Sequence, residues 1–382
     1  MTTLQSACLT LAIISFALFA HPYVTYPLSL ALLARRHPRP LPARQARAQD
    51  GAGFAIFFSA HNERRAMPSK VANCSDLLAR YPKLSIYAYD DASDDGTGDV
   101  LAASPGIRLT RGASRAGKAH GMKLMVADAS EKLLVFTDAN VELDLDCIDE
   151  LAKIYADPDV GGICGSLAYR SSSDESTTER SGGLYWRLEE RIKDLESRTG
   201  NVMGADGSIF SVRREMYPAF PDTVQDDFIV SMNVVFSGSR LVRAPNVIAY
   251  EDLVADPHDE LTRKIRIATR AYHTHLTMQP RRKALRPLDR YKYISHKVLR
   301  WWGAVPLAAS VASTAALLLT LGLAGYLLVG TASLSVISLR VLRVRYVLLA
   351  AELATAIAAT TIGAVRALRG TTVAVWTPPA SR

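Results

Sequence analysis

Between residues 50 and 140, short apolar runs alternate with polar stretches of helical period. The runs are FAIFFSA (54–60), LSIYAY (84–89), IRLT (107–110) and KLLVFT (132–137). Each has strand length and is rich in aromatic or branched side chains. Residues 64–80, 96–104 and 116–129 lie between them and predict helices. Strands joined through helices imply parallel pairing with right-handed crossovers. The expectation is an α/β block, about 50–280, built on a mostly parallel sheet with flanking helices. Ligands in such sheets gather beyond the carboxyl ends of the strands.

Hydrophobic segments frame this block. Residues 1–34 carry no Asp, Glu, Lys or Arg, and Arg35, Arg36, Arg39, Arg44 and Arg47 follow. Positive charge after the apolar run, not before it, points to an uncleaved membrane anchor with a cytoplasmic basic flank. Pro22 and Pro27 are expected to kink or end that helix. Gly303 to Leu339 is a second uncharged run. As one helix it would extend about 55 Å against a hydrocarbon core of roughly 30 Å. It reads either as one helix plus an interfacial piece or as two short helices turning near Gly322–Gly325. A third run, Tyr346 to Val365, contains Glu352 alone among charged residues; an acid at that depth faces protein or water. Buried soluble helices are the alternative for both runs. DRYKYISHKVLRWWGAVP (289–306) mixes basic and aromatic residues as a membrane interface does. The chain thus divides into an anchor (1–34), a basic linker (35–50), a globular domain (51–280), an interfacial segment (281–302), a membrane region of two or three helices (303–365) and a tail (366–382).

Net charge is +8, from 45 Lys and Arg against 37 Asp and Glu. The basic residues cluster at 35–47, 263–300 and 340–369, beside the apolar runs, which favours lipid headgroups over nucleic acid as the partner. No zinc-finger spacing or basic–aromatic RNA motif occurs, and nucleic acid is not an expected ligand. Cys8, Cys74, Cys147 and Cys164 are scattered without CxxC spacing, which suits a reducing compartment and gives no disulfide or metal role.

Three predicted strands end in acids. FFSAHNE closes on Glu63, IYAYDD on Asp90 and Asp91, and VFTDAN on Asp138. Any one of these could be a solvated turn or helix cap, and Ser93 and Asp94 suit a cap. Together they point to a nucleotide and metal site. Glu142, Asp144 and Asp146 fit a turn and the start of a helix near 146–156, where acids favour the helix dipole.

The order SAHNE (59–63), DDASDDGT (90–97), RAGKAHGMK (115–123), FTDANV (136–141), GADGSIFSVRR (204–214), QDDF (225–228) and RKIRIATRA (263–271) resembles family 2 glycosyltransferases of the GT-A fold. The similarity is to the membrane-bound branch that includes poly-N-acetylglucosamine, cellulose and hyaluronan synthases. It covers about residues 50–280. The resemblance implies that Glu63, Asp90, Asp91, Lys118, Arg263 and Arg266 bind a nucleoside-diphosphate sugar, with Arg266 at the diphosphate. It implies that Asp138 and Asn140 hold Mg²⁺ or Mn²⁺, and that Asp227, supported by Asp226, is the general base. Gly204, Asp206 and Gly207 would belong to a loop over donor and acceptor. Two positions depart from the family. Asn140 stands where a second Asp is usual, which removes one charge from the metal triplet. Ile267 stands where polysaccharide synthases carry Trp, which puts long-chain processive synthesis in doubt.

The implied reaction is inverting transfer from a nucleoside-diphosphate sugar, with UDP as the expected nucleotide, to a lipid or growing polysaccharide at the cytoplasmic membrane face. A nucleotidyltransferase of similar fold and a non-catalytic membrane scaffold are the alternatives. The donor sugar and the acceptor depend on pocket side chains that no motif identifies.

Overall fold

Alternation along the strands decides which way each side chain packs. Phe57, Tyr87, Phe136 and Phe210 lie in one buried cluster, whereas Ile56, Phe58, Ile86, Val135 and Ile209 lie in the other. The two clusters are the two faces of a mixed sheet. The computed structural model describes residues 1–41, 49–170, 177–252, 260–341, 345–372 and 375. Arg44 and Arg47 of the basic linker and most of the tail lie outside these residues.

The strands are β1 (Phe54–Ala60), β2 (Ser85–Asp90), β3 (Ile107–Arg111), β4 (Leu133–Thr137), β5 (Val141–Leu143), β6 (Val160–Arg170), β7 (Ile209–Arg213) and β8 (Arg240–Asp252). Their order in the sheet is β3-β2-β1-β4-β7-β6-β8-β5. The first four are parallel, as the alternating pattern predicts. β7 runs antiparallel to β4 and β6, β8 is parallel to β6, and β5 is antiparallel to β8. Aromatic rings step across four neighbouring strands: Tyr87 to Phe57 at 5.1 Å between centroids, Phe57 to Phe136 at 5.3 Å and Phe136 to Phe210 at 4.8 Å. Stacked rings of this kind bury large areas and fix the register of β2, β1, β4 and β7. The register Ala60 opposite Asp90 brings the ends of β1 and β2 to one edge, and Asp138 follows β4 at that edge.

Helices α1 (Thr3–Ala20) and α2 (Thr25–Arg36) form the N-terminal end, with the break at His21–Val24 beside Pro22. Helices α3 (Met67–Arg80), α4 (Thr97–Ala102), α5 (Lys118–Asp128) and α6 (Cys147–Tyr155) connect the strands. They match the helices expected from the sequence within a few residues. Helices α7 (Thr177–Arg198), α8 (Asp226–Phe236) and α9 (Glu260–Thr277) belong to the second half of the domain. The interfacial segment is helix α10 (Pro287–Tyr293), a π turn over 294–298 and the short α11 (Leu299–Trp301).

The C-terminal region forms α12 (Ala304–Leu319), α13 (Leu323–Val341) and α14 (Arg345–Leu368). The run from Gly303 is therefore two helices, and the turn between them uses Gly322 at φ +68°. α1 runs antiparallel to α12: Gln5 bonds Thr320 at 3.3 Å, and the Ser310 hydroxyl donates to the Ala12 carbonyl at 3.2 Å. Among the described residues, Thr3–Ala20 is the one helix long and apolar enough by itself to cross a membrane. Pro287–Trp301 and Ala304–Leu319, bent by 65°, qualify together. The apolar stretches Leu323–Ser335 and Leu353–Leu368 are shorter. α14 packs closely on α9, where a Cβ placed on Gly363 would come within 2.5 Å of the Ala268 Cβ. One face of α14 is thus covered by protein.

A buried ionic cluster ties the N-terminal helices and the interfacial segment to α7. The His296 ring nitrogens lie 2.7 Å from Glu196 and 2.8 Å from Glu189, and Arg300 pairs with Glu189 at 2.5 Å. Tyr26 of α2 donates to Glu196 at 2.5 Å, and the Met203 N–H donates to the other Glu196 oxygen at 3.0 Å. Burial by itself would raise the Glu189 carboxyl, but the charges of His296 and Arg300 hold it well below the usual range. Each ion is compensated, which buried charges require.

Candidate active site

The edge beyond β1, β2 and β4 gathers the acids. Asp90 and Asp91 are both buried. Asp91 faces the loop before α5, where its carboxylate accepts the N–H groups of Ala116 at 2.7 Å and Gly117 at 3.0 Å, with Arg115 at 4.0 Å. Asp90 accepts the Ser93 N–H at 3.2 Å and sits against α4, where a Cβ on Gly98 would meet its Oδ2 at 2.2 Å. The two neighbours therefore divide the work: Asp91 orders the Lys118 loop, and Asp90 orders the turn toward α4. Glu63 is buried, and its N–H donates to the Thr97 hydroxyl at 2.9 Å. The cap of α4 is neither Ser93 nor Asp94. It is Gly96 at φ +90°, and Asp95 just before it accepts from the Thr97 N–H at 2.9 Å and from the Arg64 N–H at 2.9 Å.

Lys118 opens α5, and its Nζ donates to Asp138 Oδ1 at 2.6 Å. Burial alone would depress this lysine, but Asp138, Asp226 and Asp227 together hold it above its ordinary range. Asp226 and Asp227 form the first turn of α8 and are both buried, as the apolar residues around them require. Asp227 accepts the Phe228 N–H at 2.7 Å and the Gln225 amide at 3.3 Å. Burial, then the charge of Asp226, pushes the Asp227 carboxyl up to about 7. Asp226 Oδ2 is buried with no hydrogen-bond partner among the described residues.

Gly207 marks the point where these groups converge. A Cβ built there would lie 3.1 Å from Asp227 Oδ2, 3.4 Å from Lys118 Nζ and 3.7 Å from Asp138 Oδ2. Any side chain at 207 would fill the space the three share. Gly204 is needed for its own conformation: φ is +103°, and a Cβ would strike the Phe228 ring at 2.8 Å. Between them Asp206 is ion-paired with Lys193 of α7, a buried lysine that also bonds Glu190 at 3.2 Å. Asp206 is thereby committed to holding the loop as well as facing outward.

Asn140 follows Asp138 by two residues. Its amide nitrogen donates to Glu251 of β8 at 2.7 Å, which leaves its oxygen as the atom a cation could use. Glu142 pairs with Arg170 at 2.6 Å, and Asp144 and Asp146 lie at the turn into α6. On α9, Arg270 donates to the Val224 carbonyl at 3.0 Å and anchors that helix to the turn before Asp226. Arg266 is half-buried one turn earlier, and Arg263 and Ile267 are exposed.

Two buried lysines beside the site, Lys70 and Lys193, and the whole of α7 are not announced by the sequence. Lys193 stabilises the Asp206 loop, and Lys70 of α3 contacts the turn that carries Asp138. The signal for Lys70 was its place in the stripe Met67, Lys70, Cys74, Leu77, which is the buried face of α3.

The sheet and the arrangement of acids can be set beside known proteins. Residues 55–219 match the family described as glycosyl transferase family 2. An N-acetylglucosaminyltransferase of Rhizobium sp. (strain N33) is 24% identical over 202 residues, which are 48% of this chain and 45% of that protein. One from Rhizobium meliloti (strain 1021) is 21% identical over 249 residues, 60% and 58% of the two chains. The chain spans about half the length of the curated relatives it matches. A mannosyltransferase from Pyrobaculum calidifontis, solved with GDP-Man and Mn2+, superposes with a TM-score of 0.73 at 19% identity, over 96% of this chain and 99% of that one. That likeness establishes the fold, which is GT-A.

Proposed function

Because the chain carries a glycosyl transferase family 2 domain over residues 55–219, we propose that it transfers a sugar from a nucleoside-diphosphate sugar, a UDP-sugar in this reading, with inversion. The acceptor is a lipid or a growing polysaccharide at the cytoplasmic face of a membrane. The observation that carries the reading is the convergence of Lys118, Asp138 and Asp227 around Gly207. The position holds a base, a cation and a metal-type carboxylate within one sugar's width.

A hard divalent cation would draw on few protein oxygens here, since among the described residues no three His, Cys, Asp or Glu side chains come together to hold one. Asp138 supplies an anionic oxygen at the sheet edge, Asn140 an amide oxygen, and Asp226 Oδ2 is a buried acceptor without a partner among the described residues. Mg²⁺ or Mn²⁺ bound there would offset charge on the departing diphosphate. Lys118 brings a fixed positive charge to the same place, and Arg266 adds a second from α9. Asp90 and Asp91, with Glu63, border the pocket expected to take base and ribose.

Asp227 takes the acceptor hydroxyl proton. A carboxyl near pKa 7 is matched to that task at neutral pH, since a base works best when its pKa lies near the operating pH. One base acting with one metal supports single displacement at the anomeric carbon. α1 and the helices over 303–365 are the proposed membrane segments, with α10–α11 at the interface, and the basic flank at 35–47 sets the domain on the cytoplasmic side.

Detergent-purified protein incubated with a panel of nucleotide sugars tests the reading. Release of nucleoside diphosphate is expected, dependent on Mg²⁺ or Mn²⁺. Pyrophosphate release would instead indicate nucleotidyl transfer, and release of neither product would favour the scaffold alternative.

A further inference from the structure

The turn that carries Asp138 and Asn140 is closed by a long hydrogen bond, from the Val141 N–H to the Asp138 carbonyl at 3.3 Å. A bond of that length constrains the turn weakly. The side chain of Lys70 reaches the same two residues from α3. Its Nζ donates to the Asp138 carbonyl at 3.0 Å and to the Val141 carbonyl at 2.6 Å. The third side of the ammonium faces the Phe58 ring, 4.9 Å from its centroid. The side chain is 2% exposed. We propose that Lys70 is a positioning residue for the metal and diphosphate site, stapling the first and last carbonyls of the 138–141 turn so that Asp138 and Asn140 point at the bound cation. The inference rests on the metal reading given above.

Chemistry at position 70 supports this over a packing role. Lys70 shares the buried stripe of α3 with Met67, Cys74 and Leu77, all of them apolar or nearly so. Methionine would fill the same volume without taking an ammonium out of water, a transfer that is costly unless hydrogen bonds replace the lost hydration. These two bonds of the ammonium both run to the backbone of the one turn that bears the triplet. Holding both carbonyls fixes the backbone angles of Ala139 and Asn140 between them, and hence the directions in which the side chains of 138 and 140 leave the chain. One turn further along α3, Asn73 grips β5 in both directions, accepting the Leu143 N–H at 2.9 Å and donating to the Leu143 carbonyl at 2.8 Å. The segment from Asp138 to Leu143 is therefore seated on α3 at two points, and the Lys70 point is the one beneath the triplet. Groups that orient metal ligands from outside the coordination sphere commonly change metal affinity 10–100-fold when removed.

The test compares wild type, Lys70→Met, Lys70→Gln and Leu77→Ala, with Mn²⁺ binding followed by electron paramagnetic resonance in the presence of UDP, and thermal midpoints measured alongside. Leu77 is a buried residue of the same helix, away from the turn, and serves as the stability control. Lys70→Met should raise the half-saturating Mn²⁺ concentration about tenfold. Lys70→Gln retains one donor and should raise it less. Leu77→Ala should lower the midpoint while leaving Mn²⁺ half-saturation within about twofold. If Lys70→Met leaves Mn²⁺ binding unchanged, or if all three variants shift it in proportion to their loss of stability, the positioning role is wrong. Should Lys70→Met fail to fold, an unshifted Lys70→Gln overturns the role equally. A wild-type protein that binds no Mn²⁺ overturns the metal reading itself, and this inference with it.

Discussion

At the scale of single residues, the Asp226–Asp227 pair has the clearest consequence. Asp227 sits at about 7 because it is buried and because Asp226 is charged beside it. Its working form as a base is the carboxylate, so kcat/KM should rise with pH through a limb near 7. Asp226→Asn removes the neighbouring charge, lowers the Asp227 pKa and should move that limb to lower pH. A limb that stays in place in the variant would show that Asp227 is not the titrating group. The Asn140–Glu251 contact gives a second test. Asn140→Asp adds an anionic oxygen beside Asp138, but it also sets two carboxylates against each other at the 2.7 Å contact. The single variant should lose about 1–3 kcal/mol of stability in the absence of metal, and Glu251→Gln in the same chain should restore most of it by reversing the hydrogen bond. Thermal melts with and without Mn²⁺ decide this; additive losses in the double variant would count against the contact. Sequence made Asp138, Asp227 and Lys118 legible because they stand in motifs at element ends. It could not reveal Lys70 or Lys193 in their roles, since one answers to backbone carbonyls 68 and 71 residues away and the other to a loop acid.

Among the elements, α7 does the most that its sequence concealed. Its Glu190 and Lys193 face the Asp206 loop and Arg243, while Glu189 and Glu196 face the interfacial segment and α2. Strands 1–4 were readable because each is a short apolar run between helical stretches. β6, β7 and β8 were not read as strands: their pairing partners lie far along the chain, and β7 enters antiparallel between two parallel sets. α7 is hard to recognise because its apolar stripe is short, Leu188, Ile192 and Leu195, and the rest of its inward face is ionic. That ionic face is testable. Glu189→Gln leaves His296 and Arg300 with one carboxylate fewer and should cost about 3–5 kcal/mol, as breaking a buried pair does. The wild-type Glu189 pKa is depressed in the fold, so its contribution is present above the ordinary value of 4.5 and is lost as pH falls through the folded value. Thermal midpoints from pH 6 downward should therefore fall more steeply in wild type than in Glu189→Gln. Parallel curves would rule the cluster out as a stabilising device.

For the whole molecule, the N-terminal and C-terminal helices pack together and onto the sheet domain: α1 lies along α12, and α14 lies against α9. The apolar runs were visible in the sequence, but their partners were not, because apolar residues look alike whether they face lipid or another helix. The proposed cytoplasmic placement of the domain can be tested at Ser130, which is exposed. The native cysteines are poor reporters there, since Cys74, Cys147 and Cys164 are buried. In a Ser130→Cys variant an impermeant maleimide should label position 130 only after cells are permeabilised, and labelling in intact cells would reverse the topology. The claim on which the account depends is that this chain moves a sugar with Asp227 as base. The most direct measurement is nucleoside diphosphate release by purified wild type and Asp227→Asn, with UDP binding recorded on both. The account predicts turnover lower by roughly 10²–10⁴ in the variant with nucleotide binding retained; undiminished turnover would contradict it.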